Sequence, residues 1–137
     1  LYAHATHHRM LVAGTGNKVE DFGVGFYTKH GDGGVDISPI ADLVKSEVYE
    51  LAKALGIMED IQNAAPTDGL FEDNRTDEGQ IGASYPELEW AMGFDGDPGA
   101  LTGREKQVME IYTRFNRTNR HKMEPIPVCI IPGSLRD

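Results

Sequence analysis

The sequence predicts an α/β fold in which helices flank a sheet, and two neighbouring segments carry that prediction. The apolar run at residues 11–13 leads directly into the glycine-containing stretch 14–17, which is typical of a buried strand that ends in a turn. An amphipathic stripe follows at residues 40–55, with the spacing of a helix that packs one face against other elements. Because open α/β sheets bind ligands where strands end, the stretch 14–17 is the first candidate for function.

The helix predicted from this stripe begins after Ser38, a favourable N-cap, with Pro39 at its first position. Gly56 suits the cap at its C-terminal end. On this helix Lys45 falls beside the apolar stripe, from which its side chain can reach a ligand. Glu47 falls inside the stripe, and the pattern offers no physical reason for a carboxylate there.

Other helix starts follow from local signals. Residues 1–8 have the character of a helix, and Thr76 precedes a short one. The pairs Ser84 with Glu87 and Thr102 with Glu105 have the spacing of a capping box, which predicts two helices of modest length. The buried face of the second is predicted to hold Val108, Ile111, Tyr112 and Phe115. The proline-rich tail 125–132, with Cys129, is predicted to be extended and packed against other elements.

Composition narrows the functional classes. The 137 residues include 13 Lys and Arg against 22 Asp and Glu, a formal net charge of −9, which disfavours nucleic-acid binding over the whole surface. The length favours one domain, and the apolar runs are far too short to span a bilayer. A single cysteine cannot form an internal disulfide, so a cytoplasmic location without membrane association is the expectation.

The generic functional motifs are incomplete. Gly14 and Gly16 lack the third glycine of a dinucleotide fingerprint, and no phosphate-loop motif occurs. His4 and His8 share a helix face without the further ligands of a zinc site, so an ordinary helix surface is the better interpretation. The stretch 32–36 lacks the alternating acidic ligands of a calcium loop.

Several longer motifs, taken in order, are more informative. They are GTGNKVE at 14–20, GFYTKHGDGGVD at 25–36, PIADLVK at 39–45, APTDGL at 65–70, the pairs 77–78 and 81–82 with Tyr85, and His121-Lys122 before Pro125. Together they cover nearly the whole chain, and the sequence closely resembles NAD synthetase. The wording of residues 29–36 resembles the ammonia-dependent type.

This resemblance implies a reaction and a fold. The family amidates nicotinic acid adenine dinucleotide to NAD: ATP first forms an acyl-adenylate, and ammonia then displaces AMP. The implied fold is a partial doubly wound parallel sheet with flanking helices, similar to the adenine-nucleotide alpha-hydrolases, in a protein that works as a homodimer. The family's Ser-Gly-Gly-x-Asp-Ser pyrophosphate loop does not occur here. Residues 1–137 are therefore expected to form the C-terminal part of a single domain, inactive alone.

The resemblance also implies ligand contacts, although it assigns no residue of this chain a covalent role in catalysis. Thr15, Lys45 and Thr67 match ATP contacts, and Glu20 matches a Mg²⁺ ligand, with ATP as co-substrate. The matches to contacts of the deamidated dinucleotide are Lys29, Asp36, His121 and Lys122. Met123 stands where the family often has arginine, which puts the role of a third cation there in doubt. The acidic stretch 68–78 resembles a loop that orders over substrate.

Two other functions compete with this interpretation. One is another ATP pyrophosphatase, such as a GMP synthetase or a tRNA-thiolating enzyme, which shares the adenylylation chemistry. The other is a non-catalytic nucleic-acid module built on the basic residues of the last helix, namely Arg114, Arg117, Arg120 and Lys122. The net charge of −9 argues against the second.

Overall fold

The computed structural model describes residues 1–67 and 76–136. Within them the α-helices are α1 (Tyr2–His8), α2 (Lys45–Ala54), α3 (Glu59–Gln62), α4 (Asp77–Ile81), α5 (Tyr85–Gly93) and α6 (Gly103–Met123). A π-helix spans Val19–Val24, and 3₁₀ turns span Pro98–Ala100 and Gly133–Leu135. None of these helices is long and apolar enough to cross a membrane. The predicted mobile loop 68–78 falls mainly on residues 68–75, which lie outside the described residues.

The hydrophobic core lies where the π-helix, α5 and α6 meet. Its most buried large side chains come from all three elements and from α4: Val19, Val24, Ile81, Leu88 and Val108. The other three residues of the predicted buried face of α6, 111, 112 and 115, are partly buried and pack against this core, so that prediction is confirmed. The core therefore joins residues about 90 positions apart in sequence.

Polar contacts reinforce the junction between α6 and the π-helix. The Asn116 side chain donates a hydrogen bond to the Gly23 carbonyl, and Asn119 donates one to the Val24 carbonyl, both at 2.8 Å. These two carbonyls lie at the C-terminal end of the π-helix, where backbone acceptors are left without partners in the helix itself. The amides of α6 therefore hold the segment that leads into the glycine-rich stretch 25–34.

The predicted parallel sheet is represented by one isolated bridge within the described residues. Ala13 and Ile37 pair in parallel, with Gly14 N–H donating to the Ile37 carbonyl at 2.7 Å. Val12 is buried, whereas Leu11 and Ile37 are exposed. The direction of pairing agrees with an α/β fold, but the described residues do not include the doubly wound sheet that the resemblance implies.

Helix α2 begins at Lys45, six residues later than the Pro39 start predicted from sequence. A helix running from Pro39 would need the Leu43 carbonyl to accept from the N–H of residue 47. That carbonyl instead accepts from the Lys18 backbone N–H at 2.8 Å, so residues 38–43 form turns. The structure also explains Glu47, because its carboxylate accepts from the Val44 N–H at 2.9 Å and so satisfies a donor at the helix start.

The predicted starts of α4, α5 and α6 are correct to the residue. In α5 the capping box is complete: Ser84 Oγ lies 3.4 Å from the Glu87 N–H, and Glu87 Oε2 lies 2.8 Å from the Ser84 N–H. Arg104 of α6 binds the Glu87 carboxylate through two hydrogen bonds and holds the pKa of Glu87 at about 2. The Thr102 side chain forms no cap bond, and α6 has 21 residues rather than a modest length.

The proline-rich tail is extended as predicted, but the prediction that it packs is wrong. Ile126, Val128 and Ile130 are all exposed, and so is the Cys129 thiol. Proline lacks a backbone N–H, so Pro125 and Pro127 cannot donate to a neighbouring strand. Within the described residues the tail therefore contributes no side chain to the core.

Candidate functional site

The turn at residues 14–17 fixes the position of Glu20. Asn17 is 2% exposed, and its Oδ1 accepts from the Val19 and Glu20 N–H groups, each at 3.1 Å. The Asn17 N–H in turn lies 3.4 Å from Glu20 Oε2. An asparagine in this position satisfies the free donors at the start of the π-helix. The sequence thus sets Glu20 in a defined place in the first turn of the π-helix.

Lys45 and Glu20 form a partly buried ion pair. Lys45 Nζ lies 2.9 Å from Glu20 Oε1, and the two side chains are 20% and 16% exposed. Lys45 reaches Glu20 because it is the first residue of α2, next to the turn that Lys18 holds. An ammonium and a carboxylate at this distance can bind a phosphate oxygen and a hard cation, respectively.

Tyr85, the first residue of α5, completes this cluster. It is 3% exposed, its hydroxyl donates to Glu20 Oε1, and its ring centroid lies 4.7 Å from Lys45 Nζ. Tyr85 Oη also lies 3.4 Å from Asp77 Oδ2. Burial, with the hydrogen bond to Glu20 next in importance, raises the pKa of Tyr85 above its usual value, so the phenol stays protonated. Tyr85 belongs to one of the motifs, but the sequence predicts no role for it.

The two predicted threonine contacts, Thr15 and Thr67, are exposed. Thr67 follows Pro66, whose carbonyl accepts from the Asp77 N–H at 3.1 Å. Thr15 lies two residues before Asn17, in the turn that positions Glu20. The residue before Thr67 is thus hydrogen-bonded to Asp77, whose side chain lies 3.4 Å from the Tyr85 hydroxyl, whereas Thr15 lies in the turn that precedes Glu20. Their roles toward ATP stay predictions.

The predicted dinucleotide residues Lys29, His121 and Lys122 are close together at the end of α6. Lys29 Nζ donates to the His121 carbonyl at 2.6 Å. Lys122 Nζ donates to the carbonyls of Gly25 and Tyr27 at 2.9 and 2.6 Å. Beside them lies a cleft of about 560 Å³, lined by residues that include Phe26, Thr28, Asp32, Phe115 and Asn119. The end of α6 and the glycine-rich stretch therefore line the same cleft.

Asp36 has different surroundings from the other predicted dinucleotide residues. Its Oδ2 accepts from the Val12 N–H at 2.8 Å, and its Oδ1 accepts from the Tyr2 hydroxyl at 3.2 Å. In this structure Asp36 links α1 to the bridge between residues 13 and 37. Its predicted contact with the dinucleotide stays a prediction.

Asp21, the residue after Glu20, has a pKa above the usual value of an aspartate. Burial, followed by the charges of Glu20 and Asp32, raises the pKa of Asp21 from 3.8 to about 6. The carboxylate lies against Gly16, where a Cβ would come within 2.2 Å of Asp21 Oδ1. Gly16 therefore leaves room for this carboxylate in the turn.

Replacement of Asp21 by asparagine is expected to stabilise the protein at pH 7. Because the folded state holds the Asp21 proton more tightly than the unfolded state, ionisation removes stability as the pH rises from 3.8 to about 6. After allowance for solvent screening, Asp21→Asn should raise the free energy of unfolding by on the order of 1 kcal/mol at pH 7. It should also flatten the dependence of that free energy on pH between 3.8 and about 6. Urea unfolding between pH 4 and 7 measures this. Asp95→Asn, at an exposed carboxylate, is the control, and identical curves for Asp21→Asn and the parent would contradict the expectation.

Comparison with known proteins identifies the family. A sequence model of the family described as NAD synthase matches residues 1–125. The chain belongs to the NAD synthase family. It is 41% identical over its whole length to the NH(3)-dependent NAD(+) synthetase of Syntrophomonas wolfei, of which it covers 51%. It is also 41% identical over 88% of its length to the protein of that name from Mycoplasma genitalium, of which it covers 46%.

Solved structures agree with this membership of the NAD synthase family. An NMN synthetase from Francisella tularensis matches with a TM-score of 0.77 and 31% identity, over 97% of this chain and 51% of that one. An NH3-dependent NAD synthetase from Campylobacter jejuni matches with a TM-score of 0.65 and 24% identity, over 95% and 50%, which bears on the fold alone. The chain thus shares its fold with these synthetases and spans about half the length of the curated relatives it matches.

The residues present suit one kind of metal site in a NAD synthase. Among residues 1–67 and 76–136 no group of three or more histidine, cysteine or acidic side chains is arranged to hold a metal. Mg²⁺, however, is commonly held by one or two carboxylates together with substrate phosphates and water. Glu20, a single partly buried carboxylate beside a candidate phosphate-binding lysine, fits that requirement.

Proposed function

We propose that the full protein containing this chain is a ligase that forms a C–N bond, making NAD from nicotinic acid adenine dinucleotide, ATP and ammonia. The family match and the similarity to NH(3)-dependent NAD(+) synthetases support this proposal. The observation that carries it is the Lys45–Glu20 pair at 2.9 Å, an ammonium for which we propose phosphate binding beside a carboxylate for which we propose Mg²⁺ binding. Alternative ATP pyrophosphatases would share the adenylylation step, but the family match favours the NAD synthetase reaction.

The residues predicted to bind ATP and magnesium each have a role in this proposal. The pyridine carboxylate is a poor electrophile, so ATP must adenylylate it before ammonia can attack. Lys45, Thr15 and Thr67 bind and orient ATP, with the lysine ammonium close to phosphate oxygens. Glu20 would hold Mg²⁺, which when bound supplies positive charge that stabilises the departing pyrophosphate.

The second group binds the deamidated dinucleotide in the proposal. Lys122 lines the cleft at the end of α6, and Lys29 donates to the carbonyl of the neighbouring His121. Substrate phosphates bound there would take Lys29 and Lys122 from the backbone carbonyls that they now contact. Asp36 would accept from ribose hydroxyls. That role requires Asp36 to exchange its present partners, Tyr2 and the Val12 N–H, for the substrate.

Further features of the whole protein belong to the same proposal. The 137 residues form the C-terminal part of a single synthetase domain, with the doubly wound sheet completed by residues outside this chain. The protein works as a homodimer in the cytoplasm, with no nucleic-acid or membrane partner. The pyrophosphate loop of the family is supplied from outside these residues, so this chain alone makes no NAD.

A second candidate substrate has a specific observation in its favour. The structural match with a TM-score of 0.77 is an NMN synthetase, and it shares 31% identity with this chain. We therefore include amidation of nicotinic acid mononucleotide as the alternative. The activation chemistry is the same, because both substrates carry the same pyridine carboxylate.

Product analysis of the full gene product tests both candidates. The purified protein is incubated with Mg²⁺-ATP, ammonium chloride and either the dinucleotide or the mononucleotide, and products are separated by chromatography. We expect NAD to form from the dinucleotide with release of AMP and pyrophosphate. Amidation of the mononucleotide alone would favour the second candidate. Parallel reactions in which glutamine replaces ammonium chloride, or xanthosine monophosphate replaces the dinucleotide, should give no product. Product only from xanthosine monophosphate would refute the proposal.

A further inference from the structure

Tyr85 lies between the two groups that the proposed function assigns to metal and phosphate. Its hydroxyl donates to Glu20 Oε1, and the same oxygen lies 2.9 Å from Lys45 Nζ. Its ring meanwhile faces the Lys45 ammonium at 4.7 Å, within the range of a cation–π contact. One side chain thus touches both members of the ion pair.

The position of Tyr85 is itself fixed from several sides. Its backbone N–H donates to Glu78 Oε1 at 2.8 Å, which links α5 to α4. The capping box just before it sets the start of α5, and Arg104 holds that box against α6. The ring is part of the hydrophobic core. A buried tyrosine held in this way has little freedom to rotate or shift.

We propose that Tyr85 is a positioning residue that orients the Glu20 carboxylate through its hydroxyl and the Lys45 ammonium through its ring. The inference rests on the proposed function, because it takes Glu20 as the Mg²⁺ carboxylate and Lys45 as the ATP contact. Residues behind a metal ligand set its orientation and affinity. Without the hydroxyl, Glu20 loses one contact of its carboxylate and keeps those with Lys45 and the Asn17 N–H, so the carboxylate turns more freely.

Two substitutions in the full gene product separate the parts of this role. Tyr85→Phe keeps the ring over Lys45 and removes the hydroxyl, so the Mg²⁺ concentration for half-maximal rate should rise about tenfold. The KM for the dinucleotide should not change, because the residues proposed to bind it, Lys29, His121 and Lys122, have no contact with Tyr85 among the hydrogen bonds of the described residues. Tyr85→Leu also removes the aromatic face, so the KM for ATP should rise as well. Tyr112→Phe, at a partly buried tyrosine of α6 that packs against the same core, is the matched control.

A binding measurement gives a readout independent of turnover. Mn²⁺ is titrated into the protein with α,β-methylene-ATP, and the free ion is followed by electron paramagnetic resonance. Tyr85→Phe should weaken Mn²⁺ binding about tenfold, whereas Tyr112→Phe should not. Parent-like Mn²⁺ affinity in Tyr85→Phe would overturn the inference, and so would a lower melting temperature with unchanged Mg²⁺ dependence. If the parent made no NAD, the proposed function would fail, and the Mn²⁺ titration would still decide the role of Tyr85.

Discussion

Replacement of Lys45 by methionine in the full protein is expected to lower kcat/KM for ATP by a factor of about 10² to 10³. Loss of one fixed hydrogen-bond donor that stabilises a transition state typically has an effect of this size. Methionine has similar length and helix propensity, so α2 should still begin at the same residue. Initial rates of NAD formation at varied ATP measure the effect.

The matched control for Lys45 is Lys53→Met on the same helix. Lys53 lies in the last turn of α2 and is exposed, so its replacement should leave the kinetics unchanged. If Lys45→Met retained the parent kcat/KM, Lys45 would not contact ATP, and the proposed ATP and Mg²⁺ site around Lys45 and Glu20 would be wrong. A loss shared equally by both variants would show a general effect of charge rather than a specific contact.

The second large effect is expected for stability, from replacement of Gly25 by alanine. Gly25 has φ +61°, and a Cβ there would lie 2.6 Å from the Asn119 Cβ. The left-handed backbone costs an alanine about 1–2 kcal/mol, and the clash adds about 1–3 kcal/mol. We therefore expect the free energy of unfolding to fall by roughly 2–5 kcal/mol. Urea denaturation of the full protein measures this change.

Gly56→Ala separates the two contributions at Gly25. Gly56 has nearly the same backbone conformation, φ +67°, but a Cβ there would meet no atom within 4 Å. It should cost only the backbone term, about 1–2 kcal/mol. Equal losses for the two variants would show that α6 does not press against the glycine-rich stretch.

Local signals in the sequence predicted helix starts well and failed where a distant contact intervened. The capping box at Ser84 gave the start of α5 correctly, because both partners lie within one turn. Ser38 and Pro39 are equally favourable signals, yet the Leu43 carbonyl bonds to Lys18 and delays α2 to Lys45. That competing bond spans 25 residues, so no local pattern reveals it.

In the candidate site, too, the motifs predicted some residues, whereas contacts between distant residues could not be predicted. The motifs identified Glu20 and Lys45, and the structure brings them within 2.9 Å. The part played by Tyr85 could not be predicted, because its hydroxyl meets Glu20 across 65 residues. Asp36 lies in a recognisable motif, but its hydrogen bonds with the Tyr2 hydroxyl and the Val12 N–H join residues 34 and 24 positions apart, which no local pattern reveals.

The asparagine contacts of α6 have a consequence for biosynthesis. Gly23 and Val24 leave the ribosome more than 90 residues before their partners Asn116 and Asn119. At a translation rate of about 5–20 residues per second, this interval lasts roughly 5–20 seconds. During that time the segment that will border the cleft exists as nascent chain without the hydrogen bonds from Asn116 and Asn119. The cleft therefore closes late in synthesis, and shielding by chaperones would matter most just before α6 emerges.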